Sequence, residues 1–470
     1  MSHFFSPEGT HRQVTSPVPD AFSPEGTRRH AANRLPEAFP QGGPDWRLTS
    51  ASARSRLILG LTLVAYAVLA FGYVTLTPIW QNPDEPAHYN YVAFVAQTGG
   101  LPELRPGDWD SALLDRLKNG QLDANDSIGA IRYEAWQPPL SYLVDAPLVR
   151  LMSSTDPATV VYVLRTFDAL LGGLTLIVAF FAAREVLPVH LALAVPLAMV
   201  GVPMFTAVSA AVSADPLANL LSATVLLLLL RRLRLSGPDT RWAIGAGVVI
   251  GLALLTKLAL AIFLPLALVV IVLRSSRRVR EGLLLLGTTA LVLSPWLVHQ
   301  VTTYGWTDPL ATTRHAQVVL DQKRFQGLSP EFLGGFLTTT FHSFWAQFGW
   351  MAVVAPDRLY WIWAVLTLVA VTGLIRKRRR LVQPVWQLVL LTLGAAAVGY
   401  VGYNLAYEQF QGRYLFTALV PVVILLVGGW AAWLPRGAQA WSVLLVGAAL
   451  VALNAYTLLR VLVPGFAPIT

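Results

Sequence analysis

Leu57-Ile58-Leu59-Gly60-Leu61-Thr62-Leu63-Val64-Ala65-Tyr66-Ala67-Val68-Leu69-Ala70-Phe71-Gly72-Tyr73-Val74-Thr75-Leu76-Thr77-Pro78-Ile79 decides the fold of this chain. The run carries no charge and is long enough to cross a bilayer, which takes about 20 apolar residues. Asn82-Pro83-Asp84-Glu85-Pro86-Ala87-His88-Tyr89 follows almost at once. Two adjacent carboxylates therefore stand at a membrane edge and open an aromatic-rich, amphipathic stretch. An acid so placed can accept a proton from a substrate lying at the membrane surface.

The rest of the sequence repeats the first pattern. Of 470 residues, 55% are hydrophobic and 13% charged, with a mean hydropathy of +0.55. A soluble domain carries about 25% charged residues. The apolar runs are longer than the roughly 9–11 residues of a spanning strand and do not alternate. The predicted fold is all-α and polytopic, a helix bundle packed in lipid. The formal charge of +9 suggests a nucleic-acid partner, but its distribution argues against one. The bases cluster between apolar runs: Arg231, Arg232, Arg234 and Arg241; Arg274, Arg277, Arg278 and Arg280; and Arg376 to Arg380. That is the positive-inside pattern, and such clusters also meet anionic lipid. With no cysteine, disulfides, thiolate nucleophiles and cysteine metal sites are excluded.

Residues 1–50 are polar and rich in Pro and Gly, and Phe5-Ser6-Pro7-Glu8-Gly9-Thr10 recurs as Phe22-Ser23-Pro24-Glu25-Gly26-Thr27. Such a segment buries too little apolar surface to order itself. The expectation is a disordered cytoplasmic tail, then one membrane domain over 51–470 whose first helix is an uncleaved anchor. Arg47, Arg54 and Arg56 put the N-terminus inside. Loop 80–159 then falls outside, with eleven acids from Asp84 to Asp156 and five bases. Further helices are expected near 160–183, 188–208, from Asp215 to the Arg231 cluster, 282–301, 359–375, 385–405, 415–434 and 441–459. Residues 242–273 have basic clusters on both flanks and Lys257 between their apolar halves. Two short helices turning near Thr256-Lys257 satisfy the charge rule where one long helix does not. The count is about eleven crossings, with further external loops at 302–350 and 406–414. This topology gathers Asp84, Glu85, His88, Glu134, Gln137, Asp215, Glu408 and Arg413 on the outer face, with Lys257 near it.

Each of these residues has a structural reading beside a chemical one. Asp84 suits an N-cap for the helix that Pro86 opens, or a general base. His88 lies four residues on, on the same helix face, where the two side chains can orient each other or share a metal. Two ligands are too few to argue for a divalent ion, and no cofactor is predicted. Tyr91, Val92, Val95 and Ala96 form an apolar stripe that suits either an interfacial helix or packing on the bundle, and Gly99-Gly100 ends that helix. In Glu134-Ala135-Trp136-Gln137-Pro138-Pro139, the aromatic ring fits a headgroup boundary or a sugar face. Asp108-Trp109-Asp110 looks like a metal-nucleotide motif, but Asp110 reads better as the N-cap of 111–118. Lys257 either snorkels to the surface or awaits a lipid phosphate. Arg413, at a helix start in Gln411-Gly412-Arg413-Tyr414, either pairs with Glu408 or binds phosphate.

Together, Asp84-Glu85 after the first helix, Gln137-Pro138-Pro139, Asp215 before the fourth helix, Lys257 between short helices and Gln411-Gly412-Arg413-Tyr414 resemble the GT-C glycosyltransferases over roughly 57–434. The branch resembled is that of bacterial relatives of the protein O-mannosyltransferase and aminoarabinose transferase group. The resemblance implies a GT-C bundle whose first external loop is structured and holds interfacial helices. It implies a polyprenyl-phosphate sugar as donor, membrane lipid around it, and a reaction at the outer face of a bacterial inner membrane. By that likeness Asp84 would be the catalytic base with Glu85 assisting. Lys257 and Arg413 would hold the lipid phosphate, and His88, Glu134, Gln137 and Tyr414 would complete the substrate site. The acceptor, whether glycan, lipid or protein, stays open, and Asp-Glu-Pro departs from the protein mannosyltransferase pattern. No cytoplasmic loop is large enough for a nucleotide-binding domain, which suits a lipid-linked donor. The rival readings are a transporter or flippase of a lipid-linked or anionic substrate, and a non-catalytic membrane scaffold. Transporters commonly show two related halves, and no matching pair of interrupted segments is visible here.

Overall fold

Long apolar runs can satisfy their backbone groups in lipid only as helices, and helices are what they form. The computed structural model describes residues 53–121 and 127–466; the tail expected over 1–50, with its repeat, lies outside them. The chain begins with α1 (Ala53–Leu76), continues through α2 (Glu85–Thr98), α3 (Ser111–Lys118) and α4 (Leu140–Leu151), and re-enters the bundle at α5 (Pro157–Arg184). Three short helices follow, α6 (Val189–Ala192), α7 (Ala194–Val200) and α8 (Pro203–Ser209), then α9 (Asp215–Arg234), α10 (Thr240–Leu254), α11 (Phe263–Arg274) and α12 (Arg278–Tyr304). Next come α13 (Thr312–Val318), α14 (Pro330–Trp345), a two-residue hairpin pairing Gln347 with Val354 and Phe348 with Val353, α15 (Asp357–Arg376) and α16 (Pro384–Asn404). A tight helical turn, Gly412–Ala418, leads into α17 (Leu419–Ala432), and α18 (Arg436–Thr457) closes the bundle.

Among the described residues, eight helices are long and apolar enough to cross a membrane, and a ninth is formed if the pair on either side of a 69° bend at 201–202 is one span. α10 and α11 are apolar but shorter, so the expected eleven counts two segments that do not meet that length. The reversal expected between them is present. α10 ends beside Lys257, α11 runs back, and the Gly237 N–H just before α10 donates to the Arg274 carbonyl at the end of α11, 3.0 Å away. The bend comes at Pro203, which lacks the N–H a continuous helix needs. Asn454 of α18 repairs the break. Its amide donates to the Val200 carbonyl at 2.7 Å and to Thr206 Oγ1 at 3.1 Å, while its Oδ1 accepts from Tyr73 at 2.8 Å.

The two long loops are built structures that dock on each other. Tyr91 of α2 stacks on Tyr142 of α4 at 3.7 Å, and Val92, Val95 and Ala96 bury with Val160, Val161 and Leu164 of α5. The apolar stripe therefore serves packing on the bundle. Gly99 ends α2 in the left-handed conformation a C-cap requires. Asp110 caps α3 through the Leu113 N–H, and Asp108 is held by the Arg105 N–H and Arg132, so each of these acids is committed locally. Trp350 Nε1 donates to the Trp80 carbonyl at 2.9 Å, Tyr304 Oη accepts from Leu104 N–H at 2.8 Å, and Gln300 donates to the Trp136 carbonyl at 2.9 Å.

Candidate active site

Asp84 precedes α2, and its backbone rather than its side chain starts the helix. Its carbonyl accepts from the Ala87 and His88 N–H groups, both at 3.1 Å. Its φ of +66° is left-handed, a conformation uncommon outside glycine and tolerated best by Asn and Asp. The carboxylate makes no capping bond. It accepts instead from Tyr133 Oη and from Arg413 Nη2, both at 2.8 Å. Burial works to raise the Asp84 pKa, but the Arg413 charge, His88 and the Tyr133 hydroxyl outweigh it and hold the carboxyl below its ordinary value.

Glu85, expected beside Asp84 in the chemistry, turns the other way and is fully buried. It accepts from Arg165 Nε at 2.7 Å and Nη2 at 2.6 Å, from Asn82 Nδ2 and Trp80 N–H at 3.1 Å, and from Val212 N–H at 3.3 Å. Arg165, on α5, also donates to the carbonyls of Val74, Thr77 and Pro78 at the end of α1. A carboxylate with every lone pair engaged and no exposure is a clamp between helices, and Glu85 is not among the side chains that line the cavity beside Asp84.

A second acid–base pair stands beside the first. Asp215 opens α9, and Lys257, in the turn after α10, forms an ion pair and hydrogen bond with it. Tyr414 lies between the two cations, its ring 5.5 Å from Lys257 Nζ and 5.7 Å from the Arg413 guanidinium carbon. Arg413 also donates to Gln411 Oε1 at 2.7 Å. Glu408, the expected partner of Arg413, is paired with Lys323. A guanidinium carries five donors and an ammonium three, so both cations have more donors than these bonds use.

Asp84, Asp215, Lys257, Arg413 and Tyr414 line one cavity of about 460 Å³ together with His88, Glu134 and Gln137. Seven of the eight proposed catalytic and binding side chains are thus brought together, and Glu85 alone is not. His88 Nδ1 shares a 2.9 Å hydrogen bond with Tyr142 Oη rather than with Asp84. Burial pushes its pKa down to about 4 against the pull of Asp84 and Asp215, so the ring is neutral at pH 7. Glu134 accepts from the Gln137 side chain. Burial, then the Asp84 charge, raise it to about 8, which leaves it largely protonated at neutral pH. The flank between the turn at Leu258, Ala259 and Ile262 and the α16 face at Ala396, Gly399 and Tyr400 is mainly apolar. Among the described residues no three His, Asp or Glu side chains gather as a metal-ligand set.

Sequence reasoning passed over three contributors, Tyr133, Arg165 and His315. Tyr133 neighbours Glu134 but carries no motif of its own. Arg165 is a charge inside an apolar run, a signal that could have been read. His315 lines the cavity beside Trp136, the ring read from sequence as suited to a headgroup boundary or a sugar face, with ring centroids 5.0 Å apart. His315 comes from the second long loop, 179 positions away in sequence from Trp136, and nothing local marks it.

This bundle, with a carboxylate at the head of its first loop and a cavity beside it, has the GT-C fold. ArnT from Cupriavidus metallidurans bound to undecaprenyl phosphate is similar with a TM-score of 0.53 and 16% identity, over 89% of this chain and 75% of that one. Its apo state gives 0.51 at 16% identity, over 89% and 74%. The apo oligosaccharyltransferase of Archaeoglobus fulgidus gives 0.47 at 13% identity, over 87% and 56%. The chain itself belongs to the family described as Predicted membrane protein (DUF2142), whose profile matches residues 101–426. No curated protein sequence matches it.

Proposed function

We propose that this protein is a GT-C glycosyltransferase that moves a sugar from a polyprenyl-phosphate carrier to an acceptor hydroxyl at the outer face of the membrane. The observation that carries the reading is the uncapped Asp84 carboxylate in a cavity it shares with Arg413 and Lys257. In the proposed reaction Asp84 takes the proton of the acceptor hydroxyl. The acceptor oxygen attacks the anomeric carbon, and the bond from that carbon to the phosphate oxygen breaks. The lipid phosphate leaves with the electron pair, held by spare donors of Arg413 and Lys257. One displacement gives inversion. General-base catalysis supplies about 10²–10⁴ in rate, and positioning with phosphate neutralisation supplies the remainder. The apolar flank between α16 and the turn before α11 suits the prenyl chain. Further support is that ArnT, a similar fold, is described in complex with undecaprenyl phosphate.

The test is release of free polyprenyl phosphate from polyprenyl-phosphate sugars by the purified chain in nanodiscs. Asp84→Asn is expected to lose at least about a hundredfold in turnover while still binding the carrier. Turnover near that of the parent would remove Asp84 as the base.

A further inference from the structure

We propose that Trp136, Gln137, Thr312 and His315 form a carbohydrate subsite for an uncharged sugar ring, a proposal that rests on the glycosyltransferase reading. All four line the cavity, and they come from both long loops. The Trp136 and His315 rings sit 5.0 Å apart at 52°, so the pair presents an angled aromatic surface rather than a flat stack. Such faces suit the C–H face of a pyranose, as the indole is broad and apolar with a polar tip. That tip is unused. Trp136 Nε1 is buried and has no hydrogen-bond partner among the described residues. Buried donors without partners are rare and call for an explanation, and a sugar hydroxyl is an acceptor that would supply one. The Gln137 amide both donates and accepts, and the Thr312 hydroxyl, which donates to Asp308 at 3.2 Å, can accept from a sugar hydroxyl.

The charges around this patch select against ionised sugars. Asp84 is paired with Arg413 and Asp215 with Lys257, so an ammonium would have to compete with a built-in cation for either carboxylate. Glu134, bonded to the Gln137 amide and largely protonated at neutral pH, adds no cation-binding charge beside the patch. With the spare donors of Arg413 and Lys257 taken by the carrier phosphate, a uronate would meet the Asp84 carboxylate with no cation of its own. An uncharged ring escapes both conflicts. The sugar in the subsite belongs to the donor or to the acceptor, and the chemistry that recognises it is the same.

The experiment measures binding to the full chain in nanodiscs of four probes: bare polyprenyl phosphate, its hexose and hexuronate conjugates, and a free methyl hexoside. If the subsite holds the donor sugar, the hexose conjugate binds about tenfold tighter than bare lipid phosphate, as one net hydrogen bond with an aromatic contact gives. The uronate then shows no such gain. Trp136→Ala and His315→Ala each erase the gain while bare polyprenyl phosphate still binds, which also reports that they fold. Trp136→Phe retains the part due to the ring. If the subsite holds the acceptor, methyl hexoside binding is what the alanine variants lose. Equal binding of every probe by the parent and both alanine variants would overturn the subsite. Failure of bare polyprenyl phosphate to bind the parent would instead strike the carrier reading, and the methyl hexoside arm would still decide the subsite.

Discussion

Asp84 is available for chemistry because its backbone does the helix-starting work that its side chain does in an ordinary N-cap. The left-handed φ costs of order 1–3 kcal/mol and persists where the surroundings enforce it; here Tyr133 and Arg413 hold the carboxylate on one side and Glu85 anchors the chain on the other. Because Arg413 keeps Asp84 below its ordinary pKa, the base form persists through neutral pH, and the acid limb of the kcat/KM profile should lie below the usual aspartate range. Arg413→Gln should move that limb to higher pH as well as weaken donor binding. An unmoved limb would separate the two residues. Glu134 gives a second pH signature. Its folded-state pKa of about 8 stands above its ordinary 4.5. The folded chain therefore retains a proton that the unfolded chain releases across this window, and stability falls as pH rises through it. Glu134→Gln titrates nowhere, so the parent should lose thermal stability relative to the variant between pH 5 and 9. Parallel melting curves would refute the raised pKa. Asp84, Lys257 and Arg413 were legible in sequence because charges beside apolar runs stand out. That Glu85 points away from the cavity is not legible in sequence, because two neighbouring acids look equivalent until the backbone φ at Asp84 sends them apart.

The helices place these side chains through a few tertiary ties that no local pattern announces. α5 carries Arg165 into the bundle, where it satisfies carbonyls at the end of α1 and grips Glu85 with two bonds. Removing one partner of a buried pair leaves the other uncompensated and costs about 3–5 kcal/mol. Glu85→Gln and Arg165→Ala are therefore expected to lower the thermal midpoint and the yield of folded protein, whereas Asp84→Asn leaves both nearly unchanged. Should Glu85→Gln fold like the parent and lose only turnover, the clamp would be the wrong account. α15 and α17 approach so closely that a Cβ at Gly429 would strike the Ala370 carbonyl, and one at Gly373 would strike Gly429 itself. Small residues permit such contact between membrane helices. Gly429→Val should push the two helices apart at a cost of about 1–3 kcal/mol, read as a lower melting temperature in detergent. Helix positions, the short pair around Lys257 and the caps at Asp110 and Gly99 were legible because apolar length, flanking charge and capping residues are local. The bend at Pro203, mended by Asn454 from the far end of the chain, and the contact of Trp136 with His315 depend on partners more than 170 positions away, which no window of sequence contains.

The bundle has two chemically distinct ends, and α9 measures the distance between them. It starts at Asp215 in the cavity and finishes at Arg231, Arg232 and Arg234. Its 20 residues at about 1.5 Å each span about 30 Å, the thickness of a hydrocarbon core. At the arginine end Glu185 takes both Arg231 and Arg234, and Arg232 is buried against Glu281. The chain reverses between α10 and α11 so that Lys257 reaches the cavity end while Arg274 returns to the arginine end. Both long loops pack around the cavity, whereas the segments joining α9 to α10, α11 to α12 and α15 to α16 are short and lie among the clusters Arg231–Arg234 with Arg241, Arg274–Arg280 and Arg376–Arg380. If lysine and arginine bias sets orientation here as it does elsewhere, the basic end is cytoplasmic and the cavity opens outward. The cysteine-free sequence makes this directly testable, since every introduced thiol is unique. Leu320, 76% exposed in the second long loop, and Arg379, exposed between α15 and α16, lie on opposite sides in this arrangement. Leu320→Cys should react with a membrane-impermeant maleimide in intact cells, and Arg379→Cys only after permeabilisation. The reverse pattern would turn the cavity toward the cytosol and with it exclude an outward-facing transferase, while labelling of both in intact cells would contradict the span between the two loops.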